Sequence, residues 1–213
     1  MIEFYDYHLS SDCYKVRLFL NMIKLEYTRR EVEFYPRREH RSEWFLRINP
    51  RGELPVLVDN GTIVQDAQEI LLYLARTYDA SGTWYPREDA LLVGQVSMWL
   101  SFADALSQTS GAARLHDGFL YDHIDVDTCR SGAHELLRVL DEHLWFAEQQ
   151  DCSWICERAD PTVADIACFP DVMLAEEGGI SLLNYRAIRR WTDRIKQLPG
   201  FILMPGIFDG VPA

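Results

Sequence analysis

The amino-acid sequence predicts a small α/β domain joined to an all-helical one. Three observations carry the prediction: alternating and helical hydrophobic patterns take turns over residues 1–79, a Gly- and Pro-bearing stretch breaks the pattern at 80–86, and no convincing strand follows over 87–213. Residues 2–7 alternate and are rich in aromatics, as a half-buried strand is. Ser10 and Ser11 then precede an apolar grouping at Val16, Leu18, Phe19, Leu20 and Met22. That grouping predicts a helix capped by serine, whose hydroxyl satisfies an N–H that the first turn leaves unpaired. Tyr27 to Phe34 alternates again, giving a second strand. Pro36-Arg37-Arg38-Glu39-His40-Arg41 is polar and basic, Trp44-Phe45-Leu46 suggests a short irregular helix, and Asn49-Pro50-Arg51-Gly52 signals a turn. Leu54 to Val58 forms a third strand opened by Pro55, Asp59-Asn60-Gly61-Thr62 a tight hairpin turn, and Ile63-Val64 the returning strand. From Asp66 onward Ile70, Leu71, Leu74 and Ala75 recur at helical spacing. Beyond the 80–86 linker, helical patterns cover 88–110, 130–150, 162–176 and 185–198.

Bulk properties exclude several classes of partner. With 21 Lys and Arg against 33 Asp and Glu, the net charge is −12, which disfavours nucleic acid and anionic membrane surfaces. No run of ~20 apolar residues is expected to span a membrane. The opening Met1-Ile-Glu-Phe-Tyr-Asp-Tyr lacks the basic-then-apolar layout of a secretory leader, so a cytoplasmic location is the expectation. Cys13, Cys129, Cys152, Cys156 and Cys168 are odd in number and scattered, which suits a reducing compartment rather than a disulfide framework. Cys152 and Cys156 have no second ligand pair nearby, so no metal is expected.

The predicted order β-α-β-α-β-β-α, with proline heading the third strand, is that of a thioredoxin-like domain. Four segments then resemble the soluble, cytosolic-type glutathione S-transferase family. Ser10-Ser11-Asp12-Cys13-Tyr14-Lys15-Val16-Arg17 is similar to the serine motif of the theta, zeta and related bacterial classes. Asn49-Pro50-Arg51-Gly52-Glu53-Leu54-Pro55-Val56-Leu57 is close to N-P-x-G-x-V-P-x-L, and Asp66-Ala67-Gln68-Glu69-Ile70-Leu71-Leu72-Tyr73-Leu74 to E-S-x-A-I-x-x-Y-L. Asp160-Pro161-Thr162-Val163-Ala164-Asp165-Ile166-Ala167 resembles the capping motif of the helical domain. The resemblance implies the glutathione transferase architecture and glutathione as co-substrate. It also implies a small hydrophobic electrophile as second substrate and a homodimer. A glutathione-dependent isomerase or dehalogenase and a weakly catalytic glutathione-binding scaffold are the competing readings; Asp12, where zeta relatives carry Cys, tells against the maleylacetoacetate isomerase.

The resemblance assigns roles to individual residues. A thiol is a poor nucleophile until ionised, and lowering its pKa by ~2 units takes ~2.7 kcal/mol. Ser10, at a helix N-terminus, matches the serine that donates a hydrogen bond to the sulfur, with the helix dipole favouring negative charge at the same point. Ser11 is a second contact. Pro55 matches the family's cis-proline, and Leu54 offers the backbone N–H and C=O that would pair with the cysteinyl part of glutathione. Asp66 matches the acid that receives the γ-glutamyl ammonium. Ala67 departs from the usual serine and gives up a hydrogen bond to the γ-glutamyl carboxylate worth ~1 kcal/mol. His40 lies where theta-like relatives place a basic residue for the glycyl carboxylate, with Arg37, Arg38 and Arg41 as rivals. Thr162 and Asp165 have the spacing of a capping box and are expected to serve folding. Cys13 is expected to be partly buried, and Tyr5 and Tyr7 are alternative hydroxyls. His8, Leu9, Trp99, Phe102, Arg114 and His116 are positional candidates for the electrophile wall.

Overall fold

The structure, a computed structural model, describes residues 1–205. Residues 206–213 of the expected helical segment lie outside the described residues. A four-stranded sheet is built from β1 (Ile2–Asp6), β2 (Thr28–Glu31), β3 (Val56–Asp59) and β4 (Thr62–Gln65) in the spatial order β2-β1-β3-β4. β1 and β2 run parallel, and the two other pairs run antiparallel. Helices α1 (Ser11–Met22) and α3 (Ala67–Tyr78) and the single turn α2 (Glu43–Leu46) complete a thioredoxin-like domain. The second strand is shorter than the 27–34 alternation predicts. β1 has only five residues to pair with, and its register ends at Asp6 opposite Glu31. β3 likewise starts at Val56, one residue after Pro55, which has no N–H to give the ladder.

The rest is helical: α4 (Ala90–Leu106), α5 (Ala112–Phe119), α6 (Val126–Glu148), α7 (Val163–Met173) and α8 (Arg186–Lys196), with a 3₁₀ turn at Ala175–Gly178. The single helix expected over 88–110 is α4 followed by a π-helical turn, Ser107–Gly111, that leads directly into α5. Ser-Gln-Thr-Ser-Gly holds no large apolar residue, so its altered winding leaves no trace in the hydrophobic period. The continuous run Ala90–Phe119 is long and apolar enough, by length and composition, to cross a membrane, which corrects the expectation that no such segment exists. Its inner face buries Val96, Trp99, Leu100, Ala103 and Leu106, and α4 packs along α7.

Helix α1 binds the two parts together. Nine of its twelve residues are buried, so it is enclosed on all sides rather than amphipathic. Among them is Lys15, fully buried, with Nζ 2.8 Å from Asp171 on α7, 2.7 Å from Asp12 and 3.0 Å from Ser107 Oγ in the π turn. Burial opposes the ammonium, but Asp12 and Asp171 outweigh it and hold Lys15 above its ordinary pKa. Burial likewise opposes the Asp171 carboxylate, and Lys15 with Ser107 nonetheless holds it below the usual range.

Asp165 organises the helical part. The Thr162 hydroxyl accepts from Ala164 N at 3.2 Å, and Asp165 Oδ2 accepts from Thr162 N at 2.8 Å, forming the expected capping box. Asp165 Oδ1 also accepts from Ile155 N at 3.0 Å and from Trp191 Nε1 on α8 at 2.9 Å. One fully buried carboxylate therefore satisfies donors from three separate segments. An unpaired buried donor costs about 1–3 kcal/mol, and Asp165→Ala orphans three. The substitution is expected to lower the unfolding free energy by at least ~3 kcal/mol, read as a fall in the urea midpoint. Asp165→Asn, which keeps acceptor oxygen, should fall less; an unchanged midpoint for the alanine variant contradicts this account.

Candidate functional site

The sheet topology delivers four chain segments to one end. Tyr5, Val56 and Gln65 lie in one register row, with β3 running opposite to both neighbours. The C-terminal ends of β1 and β4 and the N-terminal end of β3 therefore share an edge, as does the C-terminal end of β2, parallel to β1. From that edge emerge Ser10, the Leu54–Pro55 pair, Asp66 with Ala67, and the segment leading to His40. Sequence separation hides this grouping, whereas strand direction dictates it.

Ser10 is the N-cap of α1, in extended conformation, and its Oγ accepts from Cys13 N at 3.2 Å. A hydroxyl has one donor and two acceptor lone pairs, so capping leaves the Ser10 proton free to be donated elsewhere. Ser11 opens the helix. Cys13 is fully buried rather than partly so: its sulfur accepts from Tyr7 N at 3.4 Å, and burial, with Asp6 nearby, pushes the thiol up to about 12. A thiol held there is not a nucleophile at neutral pH. Tyr5 packs against Trp44 and Phe45, on the other side of the sheet from Phe4. Tyr7 stacks toward Phe34, with its hydroxyl held above the ordinary range by burial first and by Glu33.

The Leu54–Pro55 peptide is cis. The backbone N–H and C=O of Leu54 make no hydrogen bond among the described residues, so this strand end offers an unsatisfied donor and acceptor. Asp66 is the N-cap of α3 and holds φ 73, ψ 136, a conformation that costs a non-glycine residue about 1–3 kcal/mol. Its Oδ1 accepts from Gln68 N at 2.9 Å and Glu69 N at 3.2 Å, leaving Oδ2 unengaged among the described residues. Ala67 is buried and presents a first-turn N–H with no partner among the described residues. Two groups not identified from the sequence adjoin Asp66. Gln68 Nε2 donates to Asp104 of α4, and burial, then Asp66, raises the Asp104 carboxyl. Gln68 lies within the Asp66 motif, but nothing local marks Asp104.

His40 lies in a 3₁₀ turn, Glu39–Arg41, and is buried with its ring stacked on Phe34 at 3.9 Å. Its Nδ1 is buried without a partner, and burial, with Arg41 and Arg38 close, lowers its pKa. Of the rival arginines, Arg37 pairs with Glu33 at 3.0 Å and Arg41 donates to Arg51 O at 2.9 Å. Gly52, at φ 63, touches this turn so closely that a Cβ would sit 2.8 Å from His40 O.

The positional candidates for the second wall separate. Trp99 is a core residue packed against Phe102 and His143, while Phe102 is half-buried. His116 pairs with its neighbour Asp117 at 2.7 Å, and His8 lies 3.6 Å from Glu31. Arg114 is buried, with Nη1 donating to Leu9 O at 2.9 Å and Nε to Glu177 at 2.6 Å. Arg17 holds the carbonyl before, His8 O, at 3.0 Å, and pairs with buried Asp6. The loop preceding Ser10 is thus tied down by two guanidinium groups, neither role being visible in sequence. No cluster of three metal-ligating side chains occurs among the described residues.

The comparisons with known proteins follow the same lines. Residues 4–82 match the family profile of the glutathione S-transferase N-terminal domain. Over 87 residues the chain is 32% identical to bovine glutathione S-transferase theta-1, a match that spans 41% of this chain and 36% of that protein. Over 209 residues it is 25% identical to the mouse theta-1 protein, covering 94% of this chain and 84% of the relative. The crystal structure of a glutathione S-transferase from Xanthobacter autotrophicus superimposes with a TM-score of 0.84 at 27% identity, covering 97% of this chain and 98% of that one. Residues 4–82 thus carry the glutathione S-transferase N-terminal domain, and over nearly its whole length the chain is similar in sequence and fold to soluble glutathione S-transferases.

Proposed function

We propose that the protein conjugates glutathione to small hydrophobic electrophiles, with the Ser10 hydroxyl stabilising the thiolate. The observation that carries this reading is the Ser10 geometry: the oxygen is committed as acceptor to Cys13 N, and the proton is left to give. Helix α1 adds the unpaired amides of its first turn, which favour an anion at the same place. Leu54 would pair with the cysteinyl backbone as an added strand. Asp66 Oδ2 would receive the γ-glutamyl ammonium, the Ala67 N–H its carboxylate, and Ser11 a second polar contact. His40, stacked on Phe34 and short of a partner at Nδ1, would donate to the glycyl carboxylate. In this reading residues 1–79 hold glutathione, 80–86 link, and 87–213 hold the electrophile. A cytoplasmic, reducing setting fits the five cysteines, all of which are free.

Replacing Ser10 by Ala is expected to raise the pKa of bound glutathione by ~1–2 units and to reduce turnover below that pKa about 10- to 100-fold, one unit being tenfold in thiolate. Thiolate absorbance against pH measures it. Tyr7→Phe should leave the titration unchanged; a shift in the tyrosine variant alone moves the role to Tyr7.

Ala67 favours a second reading, a glutathione-binding protein with little turnover, since the missing hydroxyl weakens the γ-glutamyl end. Titration calorimetry with glutathione separates the possibilities. Binding is expected, and Ala67→Ser should tighten it roughly fivefold, the equivalent of ~1 kcal/mol. No heat at millimolar glutathione rules out the enzyme reading.

A homodimer belongs to the same proposal. From Ala90 to Ala103 helix α4 carries no charged residue, and it leaves Leu91 and Met98 exposed. A charge-free helix face with exposed apolar side chains favours burial against a second copy. Sedimentation should show a dimer at micromolar concentration, and Met98→Lys should shift it toward monomer; a monomeric parent protein contradicts this.

A further inference from the structure

Ser10 is held by more than its own helix. Its N–H donates to Tyr7 O at 3.1 Å, closing the turn, and Arg17 of α1 takes His8 O. The peptide between Leu9 and Ser10 is held from elsewhere: Arg114 Nη1, on α5 and 105 positions away, donates to Leu9 O. Arg114 is 4% exposed and is fixed along its whole length. Its Nε meets Glu177, and its guanidinium stands 5.1 Å over the Phe119 ring. Its backbone is fixed too, since a Cβ on Gly178 would sit 2.8 Å from Arg114 N and 2.9 Å from Ala113 C. The Ala175–Gly178 turn therefore closes directly on α5, and the residue before Gly178 supplies the carboxylate. A planar guanidinium held by a carboxylate on one side presents its remaining donors in a fixed direction.

We propose that Arg114 is a positioning residue for Ser10: by holding the Leu9 carbonyl from the helical part, it fixes the peptide that sets the direction of the Ser10 hydroxyl. Rotation about the Leu9–Ser10 link would swing that hydroxyl while leaving β1 and α1 intact, and misplacement of a reacting group by ~1 Å can cost on the order of a hundredfold. The charge of Arg114 also reaches this loop, where it opposes the upward shift of the Tyr7 hydroxyl. Ionisation of bound glutathione then depends on the helical part being seated against the loop. The inference rests on the Ser10 reading above.

The test titrates glutathione bound to wild type, Ser10→Ala, Arg114→Gln and Arg114→Lys, following thiolate absorbance, with calorimetric Kd and thermal melting alongside. A wild-type protein that does not bind glutathione, or a serine variant with an unchanged titration, removes the Ser10 reading and this inference with it. Given a wild-type depression that Ser10→Ala reverses, Arg114→Gln is expected to raise the bound-thiol pKa by about 0.5–1 unit. Its glutathione Kd should change by less than about threefold, because a purely structural defect would weaken binding and leave the titration of the bound fraction alone. Arg114→Lys keeps the charge but not the fork, and should behave like the glutamine variant. An unchanged titration in Arg114→Gln overturns the inference, and so does full recovery in Arg114→Lys, which would make the effect one of charge alone. If Arg114→Gln does not fold, Glu177→Gln, which loosens the anchor and spares the Leu9 contact, should give a smaller shift in the same direction; no shift there overturns it equally.

Discussion

The ion pair between Lys15 and Asp171 is the contact on which the arrangement of the two parts depends. Both groups are essentially out of water, at 0% and 1% exposure, and 2.8 Å apart. Removing one partner of such a pair costs about 3–5 kcal/mol, yet replacing both by apolar groups of the same volume is often neutral. Adhesion between α1 and α7 is therefore not what the charges add. What they add is registry: any slide of α1 along α7 strands a charge in the core, so one seating is allowed. Ser107 supports the same point from the π turn, donating to Asp171 at 2.7 Å while accepting from Lys15. A rare winding of the α4–α5 junction is thus spent on bringing a hydroxyl to the ion pair.

That registry matters because α1 also begins the site. Its N-terminus carries Ser10, and by its second turn Lys15 already meets Asp171 of the helical part. A helix fixed along its length holds its cap still, and the cap is where the sulfur-binding chemistry is proposed. Arg17 and Arg114 extend the same logic into the preceding loop, one from each part of the fold. The loop before Ser10 is thus held from elements that are themselves tied to one another.

The features legible in sequence are those whose partners lie close in the chain. The serine cap of α1 and the Thr162–Asp165 box are contacts three residues apart, and local spacing announces both. The hairpin between β3 and β4 is legible for the same reason. Strand limits were less so, because β2 ends where β1 runs out and not where its own alternation stops. Arg114 illustrates the other limit. Position in the sequence suggests a side chain that meets substrate; a buried guanidinium bound to a carbonyl 105 positions away cannot be inferred from its neighbours in the chain. Resemblance alone points to His40, and only the fold shows it stacked on Phe34 and not exposed with the arginines beside it.

The charge distribution at the sheet end is compatible with the proposed anion-binding site in so acidic a chain. On one side stand the amides at the start of α1, which favour negative charge. On the other, Asp66 and Asp104 lie close enough that Asp66 helps to raise the Asp104 carboxyl, after burial. A carboxylate whose ionisation a neighbouring carboxylate opposes is relieved by a nearby cation. An edge that favours an anion at one end and a cation at the other discriminates for a ligand bearing both, held in one orientation. The polarity of the proposed site is then set locally, by helix termini and the side chains that the fold gathers there, and not by the net charge of −12.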